Sequence, residues 1–281
     1  MNFNWTHGNS VYRGTVRDRT VCQGAVRAGT VRAIVVAVAC ALSAARVDAQ
    51  TAPTSVPVTP PSRRIAPADT SLRPEGLRVD TLTYTLTGFK DGDEIPVGTI
   101  VDMTTREGEG ASRMLRRVMM VRRGNANLVD STLSDATTLA PRQHRSSQPQ
   151  RLLRIDFSGL RIRGTIGPIG SPGVALDTTL SYPAFDSGNW DLIVRAMPLA
   201  PDFAAVFRVY DVETGPHDYI VRVTGTTPLY GESAYIVNFQ LGRGSSSTVW
   251  IGATTRRLLQ METWVGQTTL LRQALRVRAG G

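Results

Sequence analysis

The side chains that could carry catalysis are few, and their spacing fits no familiar reaction. Beyond residue 49 the only histidines are His144 and His217, and both fall in stretches predicted as loops. Residues 231–235 (GESAY) begin like the G-x-S-x-G elbow of serine hydrolases, but Tyr235 stands where the last glycine should be. With these two histidines as the only partners, we do not expect a serine triad.

Carboxylates and glycines give no stronger signal. Glu232 and Glu262 are candidates for paired-carboxylate chemistry, but each lies in an alternating strand pattern, where a solvated or ion-paired role is the default. We expect Glu262 to pair with Arg256 or Arg257 across the final hairpin. The glycines at 164, 167, 170 and 173 precede neither a helix pattern nor a lysine, so they predict a flexible loop and not a phosphate site.

Metal and thiol chemistry are not expected either. His217 adjoins Asp218, but a metal site needs further ligands close by. Cys22 and Cys40 both lie in the N-terminal segment, so its removal would leave no thiol. The sequence therefore predicts a protein that is not an enzyme, with no catalytic residues, no metal and no cofactor.

The N-terminal segment has the parts of a secretory signal peptide. An apolar run at 33–45 follows Arg27 and Arg32, and small residues precede a cleavage point after Ala49. The polar stretch before it suggests a true start nearer residues 26–31, and lipidation at Cys40 stays an open alternative. We expect an exported protein, periplasmic or associated with the outer envelope.

Two further regions follow the signal peptide. Residues 50–76 carry six prolines and predict a disordered linker, and residues 77–279 predict a single β-rich domain. The formal net charge is +9, of which residues 1–49 supply +4, so about +5 remains after cleavage. This charge, nearly all arginine, favours an anionic envelope surface as partner. The arginine-rich stretch 113–123 lacks interleaved aromatic residues, so nucleic acid is not expected.

Alternating apolar residues predict most of the domain to be strands. Clear examples are 81–87, 153–157 and 235–241, where every second residue is apolar. Residues 112–123 fit either a strand or an amphipathic helix, and the neighbouring strands favour the strand. Residues 140–150 (APRQHRSSQPQ) show no alternation and are predicted to be a loop.

One helix is predicted at 187–197, capped by Asp186 or Ser187 and stopped by Pro198. Its apolar residues recur at three- and four-residue steps and predict one face packed on a sheet. About eleven sequential strands and this helix predict a mainly β fold, an antiparallel, strongly curved sheet or unclosed half-barrel with the helix on its concave side. Apolar side chains facing that concavity are the candidates for ligand binding: Trp190, Ile193, Met197, Phe203, Phe207, Tyr235 and Phe239.

Four segments carry a resemblance to a known family. They are LSYPAFDSGNWDLIVRAMPL, FRVYDVETGPHDYIVRVTGTT, YGESAYIVNFQLG and VWIGATTRRLLQMETWVGQTTLLRQAL. Together they are similar to the bacterial periplasmic domain of unknown function numbered thirty-one-oh-eight. That family resembles the periplasmic lipoprotein-localisation factors LolA and LolB, whose unclosed barrel holds acyl chains. The resemblance implies a carrier or sensor of an apolar ligand.

Two functions are carried forward. The first is a monomeric protein that binds a lipid or other apolar small molecule in the concavity of a curved sheet. The alternative is a structural or interaction protein of the envelope, with a filled core and a basic face that includes Arg113, Arg116 and Arg122.

Overall fold

A single β-sheet organises residues 61–241, 246–265 and 268–277, the part of the chain that this computed structural model describes. The first nine strands are β1 (Arg64–Ile65), β2 (Thr81–Lys90), β3 (Asp93–Glu107), β4 (Met114–Arg123), β5 (Ala126–Asp135), β6 (Pro141–Gln148), β7 (Arg151–Ser158), β8 (Arg161–Gly167) and β9 (Val174–Thr179). The others are β10 (Phe185–Asp186), β11 (Ala204–Asp211), β12 (Gly215–Leu229), β13 (Glu232–Gln240), β14 (Ser246–Gly252), β15 (Leu258–Val265) and β16 (Thr269–Leu275). Between β10 and β11 lies the helix α1 (Trp190–Ala196).

After the short edge strand β1, the chain crosses to the middle of the sheet at β2, and its last strand returns to the same place. Strands β2 to β9 run outward as an antiparallel meander, and residues 180–184 then carry the chain across to β10 beside β11, before α1 begins. Strands β11 to β16 return as a second meander, and β16 pairs antiparallel with β2. The mainly β, curved and unclosed sheet is as predicted, but it has sixteen strands and not about eleven.

Two faces follow from the pleat, because successive side chains of a strand point to opposite sides. In β2 the inward Leu82, Tyr84 and Leu86 are buried. Register shifts interrupt the β2–β3, β5–β6, β12–β13 and β14–β15 pairs. Such bulges increase local twist and bend the strand, so they help the sheet to curve.

Strand β11, near one end of the sheet, contacts the inner face of β7 through side chains and not through backbone hydrogen bonds. The Tyr210 ring on β11 meets the Phe157 ring on β7 edge to face, with centroids 6.3 Å apart. Arg151 at the start of β7 pairs with Glu213 in the β11–β12 turn. The outer edge of β11 is covered by the short parallel strands β1 and β10. The sheet therefore overlaps itself without closing into a barrel.

Strand β9 ends the sheet, and among the described residues it pairs only with β8. The Leu180 N–H donates to the Leu160 carbonyl oxygen at 2.9 Å. Because antiparallel pairs alternate between hydrogen-bonded and non-hydrogen-bonded residues, the even-numbered residues of β9 are the ones that form hydrogen bonds with β8. The N–H groups of Ala175, Asp177 and Thr179 therefore point away from β8, toward the free edge.

Residues 61–80 form a strap that closes one end of the sheet. Ile65, Leu72 and Leu77 are buried, and Arg73 N–H donates to the Ala196 carbonyl at the end of α1. The prediction of a disordered linker is thus wrong for residues 61–76, because three apolar residues anchor the strap despite its prolines. Residues 50–60 and the predicted signal peptide lie outside the described residues.

The strands that sequence analysis missed lack an apolar alternation. Strand β6 was predicted to be a loop because its inward residues His144, Ser146 and Gln148 are polar. Strand β9 lies at an edge and is mostly exposed, and β1 and β10 have two residues each. His144 therefore lies in β6 and His217 in β12, not in loops.

Candidate functional site

Helix α1 lies against the concave face of the sheet and is the only α-helix among the described residues. A 3-10 turn at Ser187–Asn189 precedes it, so the predicted helix at 187–197 is confirmed with a tighter first turn. Asp186 caps this turn, since its carboxylate accepts from Gly188 N–H at 3.0 Å. Every α1 residue after Trp190 is buried, including Asp191 and Arg195. The sheet therefore encloses both apolar and charged faces of the helix.

The apolar side of α1 packs on strands β11 to β13 through aromatic rings. The Trp190 indole stacks on Phe239, with centroids 4.3 Å apart and planes at 21°. Phe207 lies 6.0 Å from Phe239 and 5.7 Å from Tyr219, and Phe185 adds an edge contact to Phe207 at 6.1 Å. Such pairs add specific geometry to the apolar area that they bury.

The seven candidate ligand-binding residues fall into two groups. Trp190, Ile193, Met197, Phe207 and Phe239 belong to α1, its C-terminal end and the strands beneath, and all but Trp190 are buried. Phe203 and Tyr235 are partly exposed and lie under guanidinium groups. Arg63 is 5.2 Å from the Phe203 ring, and Arg256 is 5.7 Å from the Tyr235 ring.

Part of the inner face remains accessible to solvent. Met261 faces inward, because it pairs directly with Val249, which lies on the same face as Phe239. Met119 faces inward as well, two residues along β4 from the buried Arg117 and Val121. Both methionines are partly exposed, as is Trp190. Methionine side chains are flexible and polarizable, a property suited to irregular apolar surfaces.

The charged side of α1 is held by a buried ion-pair chain. Arg117 on β4 donates to both Asp102 oxygens, at 2.8 and 2.7 Å, and also to both oxygens of Asp191 on α1. Arg195, one turn further along α1, lies 3.7 Å from Asp191 and donates its Nε–H to the Arg256 carbonyl at 2.6 Å. Two carboxylates and two guanidinium groups thus balance in charge.

Within this ion-pair chain, the contact between Asp102 and Arg117 determines the charge state of both groups. Burial alone would raise the pKa of Asp102, but the bonded Arg117 outweighs it and the pKa is lowered. Burial likewise opposes the charge on Arg117, and Asp102 and Asp191 still hold its pKa well above the ordinary value. Asp102 and Arg117 are therefore charged at neutral pH, and the hydrogen bonds from Arg117 to Asp191 fix the orientation of α1.

A second polar cluster lies where β6 approaches β10. His144 Nδ1 lies 3.0 Å from the Asp186 carboxylate, and Nε2 lies 3.9 Å from Asp130, an ion-pair distance too long for a hydrogen bond. Burial disfavours the imidazolium, but Asp186 and Asp130 outweigh burial and raise the pKa of His144 to about 10. Asp186, which caps the 3-10 turn, is thus bound to β6 by the charged His144.

Residues considered for catalysis have structural partners. Glu232 accepts from the Thr255 hydroxyl at 2.7 Å, and His217 Nε2 lies 3.0 Å from the Thr214 hydroxyl. The expected pair of Glu262 with Arg256 or Arg257 is wrong: Glu262 pairs with Arg272 on β16 at 2.7 Å, because β15 and β16 place these two residues directly opposite.

The described residues contain neither a cluster of metal ligands nor a membrane-spanning helix. None of their His, Cys, Asp and Glu side chains gather in groups of three or more that could hold a metal ion. No helix within the described ranges is long and apolar enough to cross a membrane.

The buried polar residues are what sequence reasoning missed. A signal was present, since Asp102 and Arg117 occupy inward positions of alternating strands, and Asp191 and Arg195 are spaced i, i+4 on the predicted helix. The sequence analysis gives Arg117 no role of its own within the arginine-rich stretch 113–123. The structure shows that its side chain points inward.

A known protein family matches most of the chain. The family described as "Protein of unknown function (DUF3108)" matches residues 83–272, which span β2 to β16. The search of curated proteins found no match.

Proposed function

This chain belongs to the DUF3108 family of proteins of unknown function, and we propose that it binds a lipid or another long apolar molecule on its concave face, without catalysis. The observation that carries the proposal is the partial exposure of three apolar side chains of the inner face, Met119, Trp190 and Met261. We propose that these three side chains border one apolar space, which we call the inner hollow. A monomeric exported protein that binds such a ligand would act as a carrier or sensor in the periplasm or at the outer envelope.

The chemistry of the inner hollow suits an acyl chain. Each buried CH₂ group gains about 0.8 kcal/mol on leaving water, so a chain needs apolar contact and few polar partners. Two methionines and an indole offer such contact and can adjust to chains of different shape. The family's resemblance to the lipoprotein-localisation factors points to the same ligand class.

The ion-pair chain limits how such a ligand enters. Asp191 is held by Arg117, and Trp190 is stacked on Phe239, so the first turn of α1 is fixed on both sides. We therefore propose that the ligand lies beside α1, and that the helix does not swing out as a lid.

A second function is favoured by a different observation. Four of the seven candidate residues, Ile193, Met197, Phe207 and Phe239, are at most 1% exposed. If the rest of the concave face is filled to the same degree, the protein is a structural or interaction module of the envelope that contacts partners through its outer surface.

Filling the inner hollow distinguishes the two functions. The Met119→Trp variant places a larger side chain there, and we expect it to weaken binding of a fluorescent fatty acid at least about tenfold, because displaced CH₂ contacts cost about 0.8 kcal/mol each. Met120→Trp is the matched control, since the next residue of β4 points to the outer face and should leave affinity unchanged.

The outcome is read together with a melting curve for each variant. Equal affinity of the folded wild-type, Met119→Trp and Met120→Trp proteins would remove the inner hollow as the site. Failure of the wild-type protein to bind any fatty-acid probe would favour the structural module.

A further inference from the structure

A cleft at one end of the sheet has the composition of an anion site. It encloses about 360 Å³ where the strap meets the ends of β3, β4 and β5, a volume at the lower end of ligand pockets. We call it the strap cleft, and its lining is Glu75, Arg106, Arg113, Ala136 and Thr137. Two guanidinium groups face one carboxylate, so the lining carries a net positive charge.

Arg106 is held in place with part of its guanidinium unused. Its Nη2 donates to the carbonyl oxygens of Pro74 and Leu77, both at 2.9 Å, which ties the strap to the end of β3. Its Nε and Nη1 make no hydrogen bond within the described part of the chain. A guanidinium anchored at one nitrogen loses less freedom when a ligand binds to the others.

Arg113 lies across the cleft with a free side chain. Its guanidinium makes no ion pair, hydrogen bond or ring contact with any described residue, whereas its neighbour Arg116 pairs with Glu107. The backbone carbonyl of Arg113 accepts from Ala136 N–H at 3.0 Å, so its Cα is fixed while the side chain reaches into the cleft.

The acidic groups near the cleft differ in availability. Asp135 already accepts from the N–H groups of Thr137 and Thr138 and pairs with Arg142, and its pKa is lowered despite burial, chiefly through those backbone bonds. Glu75 is exposed and is the only acidic member of the lining. The two arginines thus retain an excess of donors.

We propose that the strap cleft binds an anionic oxygen group, a carboxylate or a phosphate, between Arg106 and Arg113. Guanidinium groups bind such oxygens in pairs of parallel hydrogen bonds, which are stronger than neutral ones. The phosphate of a lipid headgroup and a free phosphate present the same chemistry to the cleft. This site is independent of the apolar site on the concave face.

The test is a titration of the mature chain with inorganic phosphate, followed by the backbone amide NMR signals of Ala136 and Thr137. We expect saturable shifts in the wild-type protein, and about tenfold or weaker binding in Arg113→Gln, since one charge-assisted contact is lost. Arg122→Gln is the matched control, because Arg122 is an exposed arginine at the far end of β4, the strand that begins directly after Arg113. Glu75→Gln should tighten binding.

A second arm identifies the source of the anion. Co-sedimentation with phosphatidylglycerol vesicles that is reduced in Arg113→Gln but not in Arg122→Gln supports a lipid headgroup, and equal sedimentation with weaker phosphate binding supports a free anion. If phosphate causes no saturable shift, or if Arg113→Gln and Arg122→Gln titrate like the wild-type protein, the strap cleft is not an anion site.

Discussion

Replacing Arg117 by methionine tests the ion-pair chain that holds α1. Arg117 makes four hydrogen bonds to Asp102 and Asp191, and its side chain is only 6% exposed. Breaking a buried pair costs about 3–5 kcal/mol, because it leaves charge unpaired in a poorly solvating site. We therefore expect Arg117→Met to lower the free energy of unfolding by about 4 kcal/mol, or to lower Tm by about 10 °C for a domain of this size.

The assay is chemical denaturation at pH 7 and pH 5. Without Arg117, burial raises the pKa of Asp102, so this carboxyl takes up a proton more readily and the loss of stability should be smaller at pH 5. Arg116→Met is the control, because that outward side chain is 35% exposed and its pair with Glu107 should contribute less than about 1 kcal/mol.

A double variant separates lost attraction from stranded charge. Changing Asp102 to asparagine together with Arg117→Met removes one charge of each sign and leaves Asp191 beside Arg195, so we expect at least half of the lost stability to return. The reasoning is refuted if Arg117→Met costs no more than Arg116→Met, or if the double variant is less stable than Arg117→Met alone.

Three other predictions concern the histidine, the free edge and a close strand contact. The pKa of His144 is raised to about 10, so the charged imidazole contributes fully to folding stability below pH 6.5, and this contribution is lost as pH rises through about 10. His144→Gln should therefore lower the free energy of unfolding at pH 6 by on the order of 4 kcal/mol. The difference from the wild-type protein, measured by urea unfolding, should shrink by pH 10. Ala175→Pro should shift Tm by less than about 3 °C, because the Ala175 N–H faces the free edge of the sheet. Leu176→Pro removes a backbone hydrogen bond between β8 and β9 and should lower the free energy of unfolding by about 3 kcal/mol. Equal melting temperatures of the two variants would refute the register. A Cβ on Gly98 would lie 2.0 Å from the backbone oxygen of Arg122 on β4, so Gly98→Ala should cost about 1–3 kcal/mol in a thermal melt. A Cβ on Gly225 would meet only the end of the Ile236 side chain at 4.0 Å, so Gly225→Ala should cost less than about 1 kcal/mol. The reverse order of these two costs would contradict the close approach.

Strand alternation predicted the fold because one face of most strands is apolar. The pattern located the strands around Tyr84, Ile155 and Phe239, and the capped helix after Asp186, without knowledge of pairing. It could not show that β16 returns to β2, because that contact joins residues far apart in the chain. It failed for β6, where the inward side chains form hydrogen bonds and ion pairs and so need not be apolar.

The candidate site was predicted in part, for the same reason. Helical spacing and strand alternation identified the residues that meet in the aromatic cluster of Trp190, Phe207 and Phe239. The partners of Arg117 depend on register and on where α1 crosses the sheet, and neither can be read from local spacing. Partial exposure of Met119 likewise depends on how fully α1 covers the inner face.

Native mass spectrometry of the protein, purified from bacterial cells without detergent, tests the central claim most directly. We predict a species heavier than the polypeptide by the mass of one lipid or fatty acid, which Met119→Trp diminishes and Met120→Trp retains. A polypeptide mass alone, unchanged after incubation with excess fatty acid, would contradict binding on the concave face.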